Sequence, residues 1–170
     1  MERVSQIASY LLKRYQSRYG EVMDEIKLQK LLYFTQREAI IRMGEPMFEA
    51  EFRAWKYGPV IIDIHTKYKS GDLYEELSQE SIQRWKDCFD YIFDELAPKK
   101  TMSLVSLAHG EKSWQRARVG FGKYDRSDVP MSLSDIYEDA EYRKQRRASL
   151  PLRRAVNTFY KKYPEIKKFR

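Results

Sequence analysis

Apolar residues recur first at Val4, Ile7, Ala8, Leu11 and Tyr15, the spacing of one helix face, and Gly20 follows as a natural stop. Asp24 is placed to cap a second helix whose buried stripe is predicted at Leu28, Leu31, Leu32, Ala39 and Met43, with Gly44 and Pro46 ending it. The period then changes. Phe48, Ala50, Phe52 and Ala54 alternate with Glu49, Glu51 and Arg53, which predicts a half-buried strand. A lone strand cannot satisfy its own backbone, and residues 119 to 124 are the candidate partner. Gly58-Pro59 breaks the strand, and Pro59 is expected in the first turn of a helix continued by Val60, Ile61, Ile64 and Tyr68 up to Gly71.

The strongest helical period lies after Ser78, at Ile82, Trp85, Phe89, Ile92, Phe93 and Leu96, with Pro98 close behind. A shorter helix is expected from Ser103 through Leu104, Leu107 and Ala108. Ser132 with Asp135 resembles a capping box, with Asp in place of the usual Glu or Gln. Ser149 and Pro151 are expected to open a last helix bearing Leu152, Val156, Phe159 and Tyr163 on one side. The sum is a mainly α protein: one compact helical domain of about seven helices with one short β-hairpin.

Composition narrows the class. The 170 residues suit a single domain, and 24 aromatics supply a core. No apolar run approaches the roughly 20 residues that span a bilayer, so no membrane partner is expected. The N-terminal stretch mixes acidic and polar residues among its apolar ones, unlike a signal peptide. With Cys88 the single cysteine, no internal disulfide can form, which fits a reducing cytoplasm. Charge is unevenly placed: residues 141 to 170 carry a net +9, the remainder a net −2. That asymmetry suits an acidic partner or nucleic acid, and equally a solvated helix face.

Catalytic signatures are missing from the chain. It has no GxGxxG, no GxxxxGK and no HxxxH. Asp63 and His65, two apart on a predicted helix, point to different faces, and Cys88 beside Phe89 reads as a small core or boundary residue. His109 ends a predicted helix, where it can bond the last carbonyls, and Trp114 reads first as core. No metal site, cofactor or enzymatic activity is expected.

Two stretches taken together are distinctive. KLQKLLYF, residues 27 to 34, followed by AWKYGPVI, residues 54 to 61, resembles the Panacea domain family, which includes SocA-like antitoxins and phage-associated proteins of bacteria. His109 and Trp114 keep the family's spacing of a His, four residues, then Trp, and MSLSDIYE at 131 to 138 sits where its closing helix lies. Where many members have Pro just before that Trp, this chain has Ser113. The likeness covers roughly residues 5 to 140, so the chain divides into a Panacea-like helical domain at 1-140 and a basic helical extension at 141-170 packed on it.

The resemblance implies a cytoplasmic protein of bacterial or prophage origin that neutralises a cognate toxin by binding it, with some relatives acting as adaptors that deliver the toxin to the ClpXP protease. The expected contact residues are Trp55, Lys56, Tyr57, His109 and Trp114. Trp55 and Tyr57 share a strand face opposite Phe52 and Ala54; packed on the body they are core, and left open they form an aromatic contact surface. The alternative function is nucleic-acid binding, with Arg146, Arg147, Arg153 and Arg154 on phosphates and Tyr142, Phe159, Tyr160, Tyr163 and Phe169 interleaved among the basic residues.

Overall fold

In the computed structural model, residues 1–164 are described. Helix α1 (Val4–Tyr19) buries Ile7, Ala8, Leu11 and Tyr15 and stops at Gly20, as its spacing predicts. Helix α2 (Glu25–Met43) is capped by Asp24, whose carboxylate accepts from the Lys27 N–H at 2.8 Å. A stripe was expected for α2, but it is buried on nearly every side from Lys27 to Ile41, while Met43 at its end is half exposed. This helix is the axis of the fold: α1, α3, α5, α6, α8 and the hairpin all pack on it.

Burying a helix that carries Gln29, Lys30, Gln36, Arg37 and Glu38 is tolerable only if each polar group finds a partner. Arg37 pairs with Glu111, and Glu38 with Arg42 and Arg147, while Gln29, Lys30 and Gln36 find irregular backbone. The Gln36 amide donates to the Phe48 carbonyl at 2.7 Å and accepts from the Met47 N–H at 2.9 Å. Gln29 does the same for Ile61, accepting from its N–H at 2.9 Å and donating to its carbonyl at 3.2 Å. The polar residues of α2 therefore position the non-helical chain around it.

Strand β1 (Arg53–Trp55) pairs antiparallel with β2 (Gly58–Val60), in register Arg53 with Val60 and Trp55 with Gly58. Pro59 thus sits in a strand and not in the first turn of a helix; α3 (Ile62–Ser70) begins three residues later. Pro59 is tolerated there because β2 is an edge strand and needs no donor at that position. The other edge of β1 is satisfied by residues 129 to 131, not by 119 to 124: the Ala54 N–H donates to Val129 at 2.8 Å and the Met131 N–H to Phe52 at 2.7 Å.

The long helix expected after Ser78 is three pieces. Ser78 caps α4 (Gln79–Arg84), the backbone leaves the helical region at Trp85, and α5 (Lys86–Tyr91) runs into a π-helical turn over Ile92–Leu96. Trp85 breaks the run because its ring is buried and its indole N–H is drawn to Glu2 at 3.1 Å. The π turn, closed by the Ala97 N–H on Ile92 at 2.8 Å, adds one residue and lets Phe93, Leu96 and Ala97 all face the core.

Helix α6 (Thr101–His109) starts two residues before Ser103 and leaves Leu107 largely open. A short α7 (Lys112–Ala117) follows. The last element, α8 (Leu133–Lys162), is one helix of 30 residues that contains Pro151 instead of starting there. No capping box forms at its start: the Ser132 hydroxyl meets Ser134, and Asp135 pairs with Arg116. Ile136, Asp139 and Ala140 bury its first turns. Arg143 and Arg147 form ion pairs with Glu111 and Glu38, and residues 151 to 159 are all exposed. Phe169 lies outside the described residues.

Candidate functional site

The hairpin turn gathers the residues singled out in the sequence. Trp55, Lys56, Tyr57 and Gly58 form the turn itself, and α6 and α7 hold it from behind. The Trp114 indole N–H donates to the Trp55 carbonyl at 2.9 Å, and His109 Nε2 lies 3.0 Å from the Lys56 carbonyl. A carbonyl only accepts, so Nε2 carries the proton in this bond. The two rings stack, with centroids 4.0 Å apart and planes 13° from parallel. Burial pushes the His109 pKa below its ordinary value, against the opposing pull of the Lys56 carbonyl, so the ring is neutral at pH 7. His109 and Trp114 support the turn, and among the described residues no carboxylate is bonded to the imidazole. The spacing between them is what lets both reach consecutive carbonyls.

Gly58 has φ +99, a region that side-chain-bearing residues rarely adopt. A Cβ there would also meet the Lys30 side chain at 3.0–3.1 Å. Lys30 cannot retreat: it is almost wholly buried and its ammonium donates to the Pro59 carbonyl at 2.5 Å. KLQK and YGPV are thus two halves of one arrangement, in which Gln29 and Lys30 clamp the backbone of residues 59 to 61. Burial lowers the Lys30 pKa to about 7, only partly offset by the Glu25 charge.

In front of the turn lies a cavity of about 800 Å³. Its walls come from the first turns of α2 and α3, from the hairpin and from residues 126 to 128. Trp55 is half buried in it, its N–H held by Asp128 Oδ1 at 2.9 Å and its ring meeting the edge of His65 at 5.1 Å. His65 Nδ1 is in turn bonded to the Glu25 carboxylate. Of the Trp55–Tyr57 face, Tyr57 is exposed and Trp55 half buried, with Phe52 and Ala54 buried behind them. Tyr57 and Tyr124 are 46% and 71% exposed, and Lys56 Nζ lies over both rings at 5.1 and 5.6 Å.

Sequence reasoning missed Arg118, whose guanidinium donates to Ala54, Gly122 and Asp125 carbonyls and lies 5.0 Å from the Trp114 ring centre. It fixes the loop that carries Tyr124 beside the turn. Nothing in its sequence neighbourhood distinguishes it from a surface arginine. Cys88 is buried, and desolvation pushes its thiol up to about 12, so it stays protonated. Among the described residues no group of three or more His, Cys, Asp or Glu is placed to hold a metal, and no helix is long and apolar enough to cross a membrane.

Ser113 repays attention as the departure from the usual proline. Its N–H donates to Asp139 Oδ2 at 2.9 Å and its hydroxyl meets Tyr33 at 2.9 Å, so it uses a donor that proline lacks. On α8, the four arginines proposed for phosphate contact differ. Arg146, Arg153 and Arg154 are exposed, whereas Arg147 is committed to Glu38 through two bonds of 2.9 Å and covers the Tyr91 ring at 4.3 Å. That bidentate pair ties α8 to α2 and removes Arg147 from any phosphate-binding set.

No curated protein and no solved structure matches the chain. The family model for the Panacea domain of SocA-like antitoxins matches residues 28–115, just over half of it, from the clamp residues of α2 through the hairpin to Trp114 and Gln115. The chain belongs to the SocA-like antitoxin family that is built on the Panacea domain.

Proposed function

We propose that this protein neutralises a toxin by direct, stoichiometric contact, with the hairpin turn and the cavity before it as the docking surface. The family match gives the reading its class, and the geometry of the turn supports the location. Trp55, Lys56 and Tyr57 stand on a two-residue turn braced by His109 and Trp114, so an aromatic, cationic edge is held rigid before any partner arrives. Pre-organisation of this kind reduces the ordering cost of association, and Tyr and Trp are favoured anchors at interfaces. In this reading His109 and Trp114 are positioning residues and the partner touches Trp55, Lys56 and Tyr57. The protein works in the cytoplasm, and the same docking serves an adaptor that hands its toxin to ClpXP. Nucleic-acid binding through α8 is the weaker reading, because Arg147 is paired and only three of the four arginines remain available.

Growth tests the proposal. The product of the adjacent gene, expressed alone, is expected to arrest growth, and co-expression of this chain to restore it. A variant carrying both Lys56→Glu and Tyr57→Ala is expected to lose the rescue while keeping its thermal unfolding temperature. Unchanged growth in every culture would remove the toxin from the account.

A further inference from the structure

The polar groups around the cavity are unevenly satisfied. Its acids are engaged: Glu25 with His65, and Asp128 with the Trp55 N–H. Its lysines and Arg126 have no carboxylate partner: within the described residues Lys56 and Arg126 form no ion pair, Lys56 lying only over the Tyr57 and Tyr124 rings, and the Lys30 ammonium has a single acceptor, the Pro59 carbonyl, for its three donors. Ile26, Tyr57, Val60 and Ile62 supply apolar walls, and each of these except Val60 is more than a third exposed. A volume of about 800 Å³ is far larger than one side chain needs and falls within the roughly 300–1,000 Å³ of ligand sites.

Cations without a carboxylate, acids that each already hold a donor, and apolar walls define the chemistry of an occupant. We propose that the cavity receives a short peptide segment of the partner in which an aromatic or aliphatic side chain stands next to a carboxylate. The apolar side chain fills the space between Ile26, Tyr57 and Ile62, and the carboxylate meets Lys56 and Arg126 at the rim. The inference rests on the proposed toxin contact and names what that contact recognises. Electrostatic complementarity of this sort selects partners and speeds encounter, and a basic or neutral segment would leave the rim cations without a counterpart.

Selection from a random dodecapeptide library displayed on phage, against the immobilised full-length protein, tests it. Enriched peptides are expected to carry Asp or Glu beside Phe, Tyr, Leu or Ile. The best of them, synthesised with a fluorescent label, is expected to bind the Lys56→Glu/Arg126→Glu variant at least tenfold more weakly, by fluorescence polarisation. Both substituted residues are outside the core, so the variant retains its unfolding temperature. Enrichment of neutral or basic peptides, no enrichment, or equal affinity for the variant would overturn the inference. Growth rescue that survives such a result would place the toxin contact elsewhere and leave the antitoxin reading standing; failure of rescue with acidic peptides selected would do the reverse.

Discussion

Asp139→Ala is expected to cost the fold on the order of 2–6 kcal/mol, a large share of its stability. Asp139 is 3% exposed and accepts three kinds of bond at once. Oδ1 takes the Lys112 N–H at 2.9 Å, and Oδ2 takes the Ser113 N–H at 2.9 Å and the Tyr33 hydroxyl at 3.1 Å. Because Tyr33 donates there, its oxygen is left to accept from Ser113. Burial and the nearby charges of Glu111 and Asp139 push the Tyr33 pKa well above its ordinary value, so the phenol keeps its proton. One carboxylate therefore caps α7, orients Tyr33 of α2 and anchors α8. Removing it strands the Lys112 and Ser113 N–H groups and leaves the Tyr33 hydroxyl only Ser113 as a partner, at about 1–3 kcal/mol for each buried donor left unpaired. Globular domains are stable by only about 5–15 kcal/mol in all. Ser113→Ala removes one hydroxyl from the same network and is expected to cost about 1 kcal/mol. Urea unfolding followed by circular dichroism checks both, and a loss below about 1 kcal/mol for Asp139→Ala would show that these bonds are not what joins the three helices.

The second large effect is a dependence on pH. Lys30 has a pKa of about 7 when folded and about 10.5 when exposed. Between those values the unfolded chain binds a proton that the folded protein releases. Stability must therefore rise with pH across this window, and the penalty is fully present below pH 7. From pH 7 to pH 9 the rise is expected to be on the order of 2 kcal/mol. Lys30→Met keeps the apolar stem and removes the titration, so its curve should be flatter than that of the wild type by that amount. Cys88 opposes the trend at higher pH, because its thiol holds a proton up to about 12, but it does so equally in both proteins. Parallel curves for the two would mean that Lys30 is not desolvated.

The network above and the buried cation explain which features could be read from the chain. Periodicity located α1, α2 and the core positions of α5 and the π turn, because apolar spacing and caps are local; Ile82 of α4 is only partly buried. Continuity was not legible. Trp85 ends a helix through a bond to Glu2, more than eighty positions away, and α8 runs through Pro151. The hairpin partner was missed for a similar reason: β2 is only three residues long and contains Pro59, a poor strand signal on its own. At the site, the sequence placed Trp55, Lys56, Tyr57, His109 and Trp114 in two stretches, and the fold brings them to one turn. That His109 and Trp114 brace the turn was invisible, since it depends on which carbonyls face α6 and α7. Arg118 and the Lys30–Gly58 contact depend wholly on tertiary approach. Burial of charged residues on α2 could not be inferred from a helix whose polar positions look solvated in one dimension.

One buried ionic cluster remains only partly satisfied. Glu111 meets Arg37 at 2.5 Å and Arg143 at 3.3 Å, yet burial outweighs both and raises its pKa above its ordinary value. Among the described residues Arg37 Nε and Arg143 Nε meet no acceptor. Such a cluster contributes less to stability than its short distances suggest, and its value lies in fixing how α2, α7 and α8 meet.

Titration of the full-length chain against the purified product of the adjacent gene is the decisive measurement. A saturable one-to-one complex is predicted, weakened at least tenfold, or about 1.4 kcal/mol, by the Lys56→Glu/Tyr57→Ala pair at unchanged unfolding temperature. A complex of undiminished affinity in that variant would contradict the account, because the braced turn would then hold nothing.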